Sequence, residues 1–133
     1  MRQLISVIPH LGLLLVGAIH LLPLSGVLGS ARLKMLYGVP CDETNLAILM
    51  RHRAVLFGLL GAFLCYAAFR PDIQLLAFIG GFASVGSFIW LAWPDFMKGR
   101  RGQVCTAQVR RVVVIDLIAL GVLVIAFVAF LSL

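Results

Sequence analysis

Residues 112–133 read VVVIDLIALGVLVIAFVAFLSL, an apolar stretch whose only strongly polar members are Asp116 and Ser132. Residues 4–22, 46–69 and 73–93 have a similar character. A hydrocarbon core about 30 Å thick is crossed by roughly 20 helical residues, so each of the four stretches is long enough to span a bilayer. In lipid the backbone donors and acceptors must be satisfied within the segment, which makes each stretch a helix. The composition agrees. Hydrophobic residues make up 62% of the chain and charged ones 12%, against about 25% charged in soluble domains, and the mean hydropathy is +1.11. The expected fold is all-α, a polytopic membrane protein forming one transmembrane domain over residues 1–133. Its four spans should make an up-and-down bundle, and they leave no room for a separate soluble catalytic domain.

The connections carry their own signals. Pro23 lacks a backbone donor and leaves a carbonyl free one turn earlier, near Ile19, so the first helix should kink or end just after His20. The segment PLSGVLGSARLKMLYGVP then reads as a short interfacial helix in the first loop, with Leu33, Leu36 and Tyr37 on one face and Arg32 and Lys34 toward head groups. Gly38 and Pro40 should stop it. Asp42 or Thr44 can cap the second span, and Asp42 and Glu43 place negative charge at the positive end of its dipole. Arg70-Pro71-Asp72 is a tight turn joining the second and third spans. In the third span Ala77, Gly80, Gly81, Ser84 and Ser87 form a stripe of small residues suited to helix packing, and Trp90 and Trp93 fall where an interfacial aromatic belt is expected.

Charge sets the orientation. Of eleven Lys and Arg residues, nine map to one side of a four-span topology: Arg32, Lys34, Arg51, Arg53, Lys98, Arg100, Arg101, Arg110 and Arg111. The loops bearing them are therefore expected in the cytoplasm and both termini outside, in a bacterial inner membrane. The net charge of +6 is explained by this topology and by anionic lipid, and nucleic acid is not an expected partner. Cys41, Cys65 and Cys105 have no CxxC spacing and are odd in number, which argues against a disulfide framework or a zinc site.

The second span holds Arg51, His52 and Arg53 within its first two turns. Each ionisable group placed in a span costs roughly 2.5–3.5 kcal/mol on insertion scales, so partners or a ligand are expected for them. At 100° per residue Arg51 shares a stripe with Ala54, Gly58, Gly61, Ala62 and Cys65, so it should face the bundle, whereas Arg53 lies over Phe57, Leu60 and Leu64 and should snorkel to the interface. Asp116, at comparable depth in the last span, is the expected partner of Arg51. His20, Glu43, Arg51, His52, Arg53 and Asp116 then converge at the cytoplasmic end of the bundle, either as a structural polar cluster or as a binding site.

No Walker A loop, GxGxxG, HExxH or nucleophile elbow is present. His10 and His20 lie about 15 Å apart along one helix, too far to share a haem or a metal, and no cofactor is expected. The run HLLPLSGVLGSARLKMLYGV followed by ETNLAILMRHRAVLFGLLGAFLCYAAFRP resembles a family of small four-helix bacterial integral membrane proteins of unassigned activity. The resemblance extends from His20 to about Trp93, and Asp116 fits it. Members are often labelled phosphopantetheine adenylyltransferase, a soluble enzyme with a nucleotide-binding α/β fold and an HxGH motif, neither of which this sequence has. The resemblance implies the four-helix fold and adds weight to Arg51-His52-Arg53, but implies no reaction.

Two classes of function stand. The first is a binding or accessory protein that holds an anionic lipid head group, a small anionic ligand or a partner membrane helix on Arg51 as the fixed cation, with self-association through small-residue stripes open to it. The second is a membrane enzyme, quinone-linked subunit or proton-coupled carrier using His20 or His52 with Asp116. The first is preferred because no nucleophile or redox centre accompanies the charges in the sequence.

Overall fold

The computed structural model describes residues 2–97 and 106–133, with the side chains of residues 2–4 excepted. The described chain is helical apart from its short connections, such as residues 38–43, and contains no strand: α1 is Arg2–Leu21, α2 Ser30–Tyr37, α3 Thr44–Ala67, α4 Gln74–Met97 and α5 Ala107–Leu131. Four of its segments, Ile5–Leu28, Thr44–Ala67, Pro71–Met97 and Ala107–Leu131, are long and apolar enough to cross a membrane. Leu11, Leu59, Ile79 and Ile125, one on each long helix, are more than half exposed. A water-soluble bundle would bury such side chains; a lipid-facing one has no need to.

The α-helical ladder ends at Leu21, where the missing donor of Pro23 interrupts it, and the chain continues as a 3-10 helix over Leu22–Leu28. α2 stops at Gly38, whose left-handed φ of 67° suits glycine and whose N–H bonds the Lys34 carbonyl at 2.7 Å. Leu33 and Tyr37 do share one face of α2, but that face is buried against protein, with Cys41, Leu46, Met50, Val109 and Val112 around it. The polar side of the helix, Arg32 and Lys34, is exposed.

Three boundaries differ from expectation. The N-cap of α3 is Glu43 rather than Asp42 or Thr44, and its carboxylate accepts from the N–H groups of Asn45 and Leu46 at 2.8 and 2.7 Å. α4 runs through Pro94 to Met97, four residues past the sequence boundary at Trp93. α5 starts at Ala107, not Val112, because Thr106 caps it by accepting from the Val109 N–H. Arg110 and Arg111 thus belong to a helix rather than a loop. Lys98, Arg100, Arg101 and Cys105, which carry much of the basic-loop reading, lie outside the described residues.

α1 packs most extensively against α3 and α5, and α4 against α5, whereas the α3–α4 contact is thinner. Close approach of α1 and α3 depends on glycine: a Cβ on Gly61 would stand 2.8 Å from the Gly17 carbonyl oxygen. The order of contacts along the two helices is opposed, with Gly17 against Gly61, Leu24 against Gly58 and Gly26 near Ala54. α4 and α5 join through Phe78, Phe82, Phe127 and Phe130, whose ring centroids lie 5.4–6.2 Å apart in their contacting pairs. At the α3–α4 turn Arg70 holds Asp72 through two hydrogen bonds of 3.1 and 3.0 Å and donates to Tyr66, while buried Gln74 donates to the Ala68 carbonyl.

Candidate functional site

Where α1 gives way to its 3-10 extension, α2, α3 and α5 come together around a cavity of about 260 Å3. Its polar lining is His20, Tyr37, Arg53, Gln108, Arg111 and Asp116, set among apolar residues such as Ile19, Leu36, Phe57 and Val112. α2 forms its roof because the Thr106 hydroxyl donates to the Tyr37 carbonyl, tying the end of α2 to the start of α5.

His20 is buried, with 3% of its surface exposed. Its Nδ1 lies 2.9 Å from the Val16 carbonyl oxygen and its Nε2 3.0 Å from Ser84 Oγ. A carbonyl only accepts, so in the neutral ring Nδ1 carries the proton and Nε2 accepts from the Ser84 hydroxyl. The ring therefore bonds a carbonyl of its own helix one turn back, not the carbonyl near Ile19 that Pro23 leaves free. Long helical side chains point toward the N-terminus, which brings Val16 within reach and carries the ring away from the break. An interhelical bond such as His20–Ser84 contributes about 0.6–2 kcal/mol in a membrane bundle and ties α1 to α4.

Arg53 enters the cavity wall in place of Arg51. Its guanidinium carbon stands 5.2, 4.9 and 5.4 Å from the ring centroids of Tyr37, Phe57 and Phe88. Stacking of a cation on an aromatic face contributes about 0.5–1 kcal/mol when exposed and about 2 when desolvated, so three rings hold the group in one place. Among the described residues Arg53 has no hydrogen bond and no ion pair within 4.0 Å; the ion pair there is Arg70–Asp72. Asp116 faces the same cavity and acts on Arg53 through space rather than by contact. Burial pushes the Tyr37 hydroxyl above its ordinary value; Arg53 opposes that shift and Asp116 adds to it.

The Arg51–Asp116 pair does not form. Arg51 is exposed, and its Nε donates to the Val27 carbonyl at 3.0 Å. The small-residue stripe that holds Arg51 does pack inward at Ala54, Gly58 and Gly61, but it packs on α1 and the 3-10 helix. One turn above Ala54 the neighbour is the carbonyl end of that 3-10 helix, and an arginine there satisfies backbone rather than a carboxylate. Arg53, about 200° further round α3, instead reaches Tyr37 of α2 and Phe88 of α4. A helix with two packed faces defeats a wheel that assumes one.

Of the six residues expected to converge, His20, Arg53 and Asp116 line one cavity. Glu43, Arg51 and His52 are exposed and lie outside it. Hydrogen bonds from Asn45 and Leu46 hold the Glu43 carboxyl below its usual range, which is the signature of a cap. Tyr37, Ser84, Gln108 and Arg111 were not foreseen as site residues. Gln108, Arg111, Val112, Ile115 and Asp116 follow the i, i+3, i+4, i+7, i+8 spacing of one helix face, a signal hidden by starting the last span at Val112. Among the described residues no three His, Cys, Asp or Glu side chains are grouped to hold a metal. Comparison with models of protein families, with curated protein sequences and with solved structures finds no match.

Proposed function

We propose that the chain is a multi-pass protein of a bacterial inner membrane, a member of the small four-helix family it resembles. In this reading it is an up-and-down bundle with both termini outside, and it binds an anionic lipid head group or another small anion on Arg53. The opposed contact order of α1 and α3 supports the topology, and the exposed apolar side chains of all four long helices support the membrane setting. The observation that carries the function is the arginine itself, positioned by three aromatic rings at a cavity wall and free of any direct carboxylate contact among the described residues. A guanidinium presents several donors in a planar fork suited to phosphate or carboxylate, so a cation arranged this way is prepared for an anion. Native mass spectrometry of protein extracted from membranes should show an anionic lipid or anionic metabolite bound to the wild type. Arg53→Gln should reduce its occupancy at least tenfold, with Arg53→Lys intermediate. Equal occupancy in wild type and Arg53→Gln would refute the reading.

One observation favours the enzyme or proton-carrier alternative: the buried His20 imidazole, itself lining the cavity, accepts from the Ser84 hydroxyl of α4, the relation of a base to a proton donor. A quinone retained by the wild type, lost in His20→Ala and kept in Arg53→Gln, would favour it.

A further inference from the structure

Arg53 and Phe57 form a wall with space on both sides. Opposite the polar cavity lies an open groove of about 440 Å3 lined by Arg53, Phe57, Ser84, Ser87, Phe88, Leu91, Ala92 and Val109. It runs between α3, α4 and α5, where the α3–α4 contact is thin overall. Its volume is within the range of small-molecule sites, roughly 300–1,000 Å3.

The chemistry of this groove is divided. Among the described residues the one charged group lining it is Arg53, whereas the polar cavity also contains Arg111 and Asp116. Approach of an anion from the groove therefore meets a cation without meeting the carboxylate. The two groove hydroxyls are already committed, Ser84 Oγ to His20 Nε2 and Ser87 Oγ to the Ser84 carbonyl. What they leave exposed to an occupant is hydrocarbon, together with Phe57, Phe88, Leu91, Ala92 and Val109. Leu91 is 70% exposed, so the groove is open along its outer edge. From Ala92 back to Ser84 it follows about 12 Å of the α4 axis, away from the Trp90 and Trp93 end.

We propose that the ligand is an anionic amphiphile with one hydrocarbon chain, its charged group on the Arg53 guanidinium and its chain in the groove along α4 between Ser84 and Ala92. This rests on the anion-binding reading of Arg53 and adds the substrate class and the lateral route of entry. The hydrocarbon chain distinguishes this ligand from a free small anion, and the experiment separates the two.

The full chain is reconstituted in phosphatidylcholine nanodiscs, and occupancy is measured by native mass spectrometry against oleoyl lysophosphatidic acid, glycerol 3-phosphate and inorganic phosphate. The single-chain phosphate should bind at least tenfold more tightly than either soluble phosphate. Arg53→Gln should weaken it at least tenfold. Ala92→Trp, which fills the groove, should weaken the single-chain phosphate by a similar factor and leave glycerol 3-phosphate unchanged; Leu91→Trp, at an exposed position, repeats the test should Ala92→Trp not fold. Unchanged lysophosphatidic acid binding in the folded tryptophan variant, or equal affinity for all three phosphates, would overturn the groove and leave the anion site standing. Binding unaffected by Arg53→Gln would overturn both.

Discussion

Glu43 shows how one side chain can be read for the wrong reason and still occupy a definite role. In the sequence it joined a polar constellation; in the structure it is the cap of α3, with each carboxylate oxygen taking one backbone donor. Those bonds depress its folded pKa, so its contribution to stability is present above the ordinary carboxylate value of about 4.3 and is lost as the pH falls through the lower folded value. Glu43→Gln should therefore lower the melting temperature of the solubilised protein at pH 7. The difference from wild type should shrink as the pH falls through that lowered folded value. A gap that persists in acid would mean that the carboxylate charge is not what caps the helix. Arg51 and Arg53 show the complementary failure. Both were visible as costly charges in a span, but which one faces the cavity depends on what lies against each side of α3, and the spacing of small residues cannot say that.

At the scale of elements, the small-residue stripe of α3 was legible because small side chains are what let two membrane helices approach. It is buried at Ala54, Gly58 and Gly61, although Ala62 is exposed. The contact permits a sharp contrast. At Gly61 a methyl group would collide with backbone of α1 at 2.8 Å, while at Gly86 of α4 it would meet nothing within 4 Å. Gly61→Ala should destabilise the bundle by about 1–3 kcal/mol. Gly86→Ala should be neutral or should stabilise by up to about 1 kcal/mol through helix propensity. Equal melting temperatures for the two variants would show that α1 and α3 are not packed through glycine. Proline at position 94 and the basic run after it look like a helix end, yet the capping hydroxyl of Thr106, bonded also to the Tyr37 carbonyl, decides where α5 begins.

For the whole molecule, the proposed orientation makes a direct prediction: alkaline phosphatase fused after Leu133 should be active and a fusion after Gly102 inactive, and the reverse pattern would place the cavity at the outer face of the membrane. Length and hydropathy were enough to establish four helices capable of spanning, because a long apolar segment has few ways to satisfy its backbone away from water. The break at Pro23, the stop at Gly38 and the turn at Arg70-Pro71-Asp72 were equally legible, since each follows from local backbone geometry. The site was legible only as an inventory. His20, Arg53 and Asp116 were all named from the sequence, but their grouping around one cavity, with Tyr37, Gln108 and Arg111 beside them and Ser84 behind His20, depends on contacts among α1, α2, α3, α4 and α5. Periodicity describes each helix about its own axis; the relative rotation of helices, which decides whether two charges meet, is set by side chains distant in sequence packing against one another.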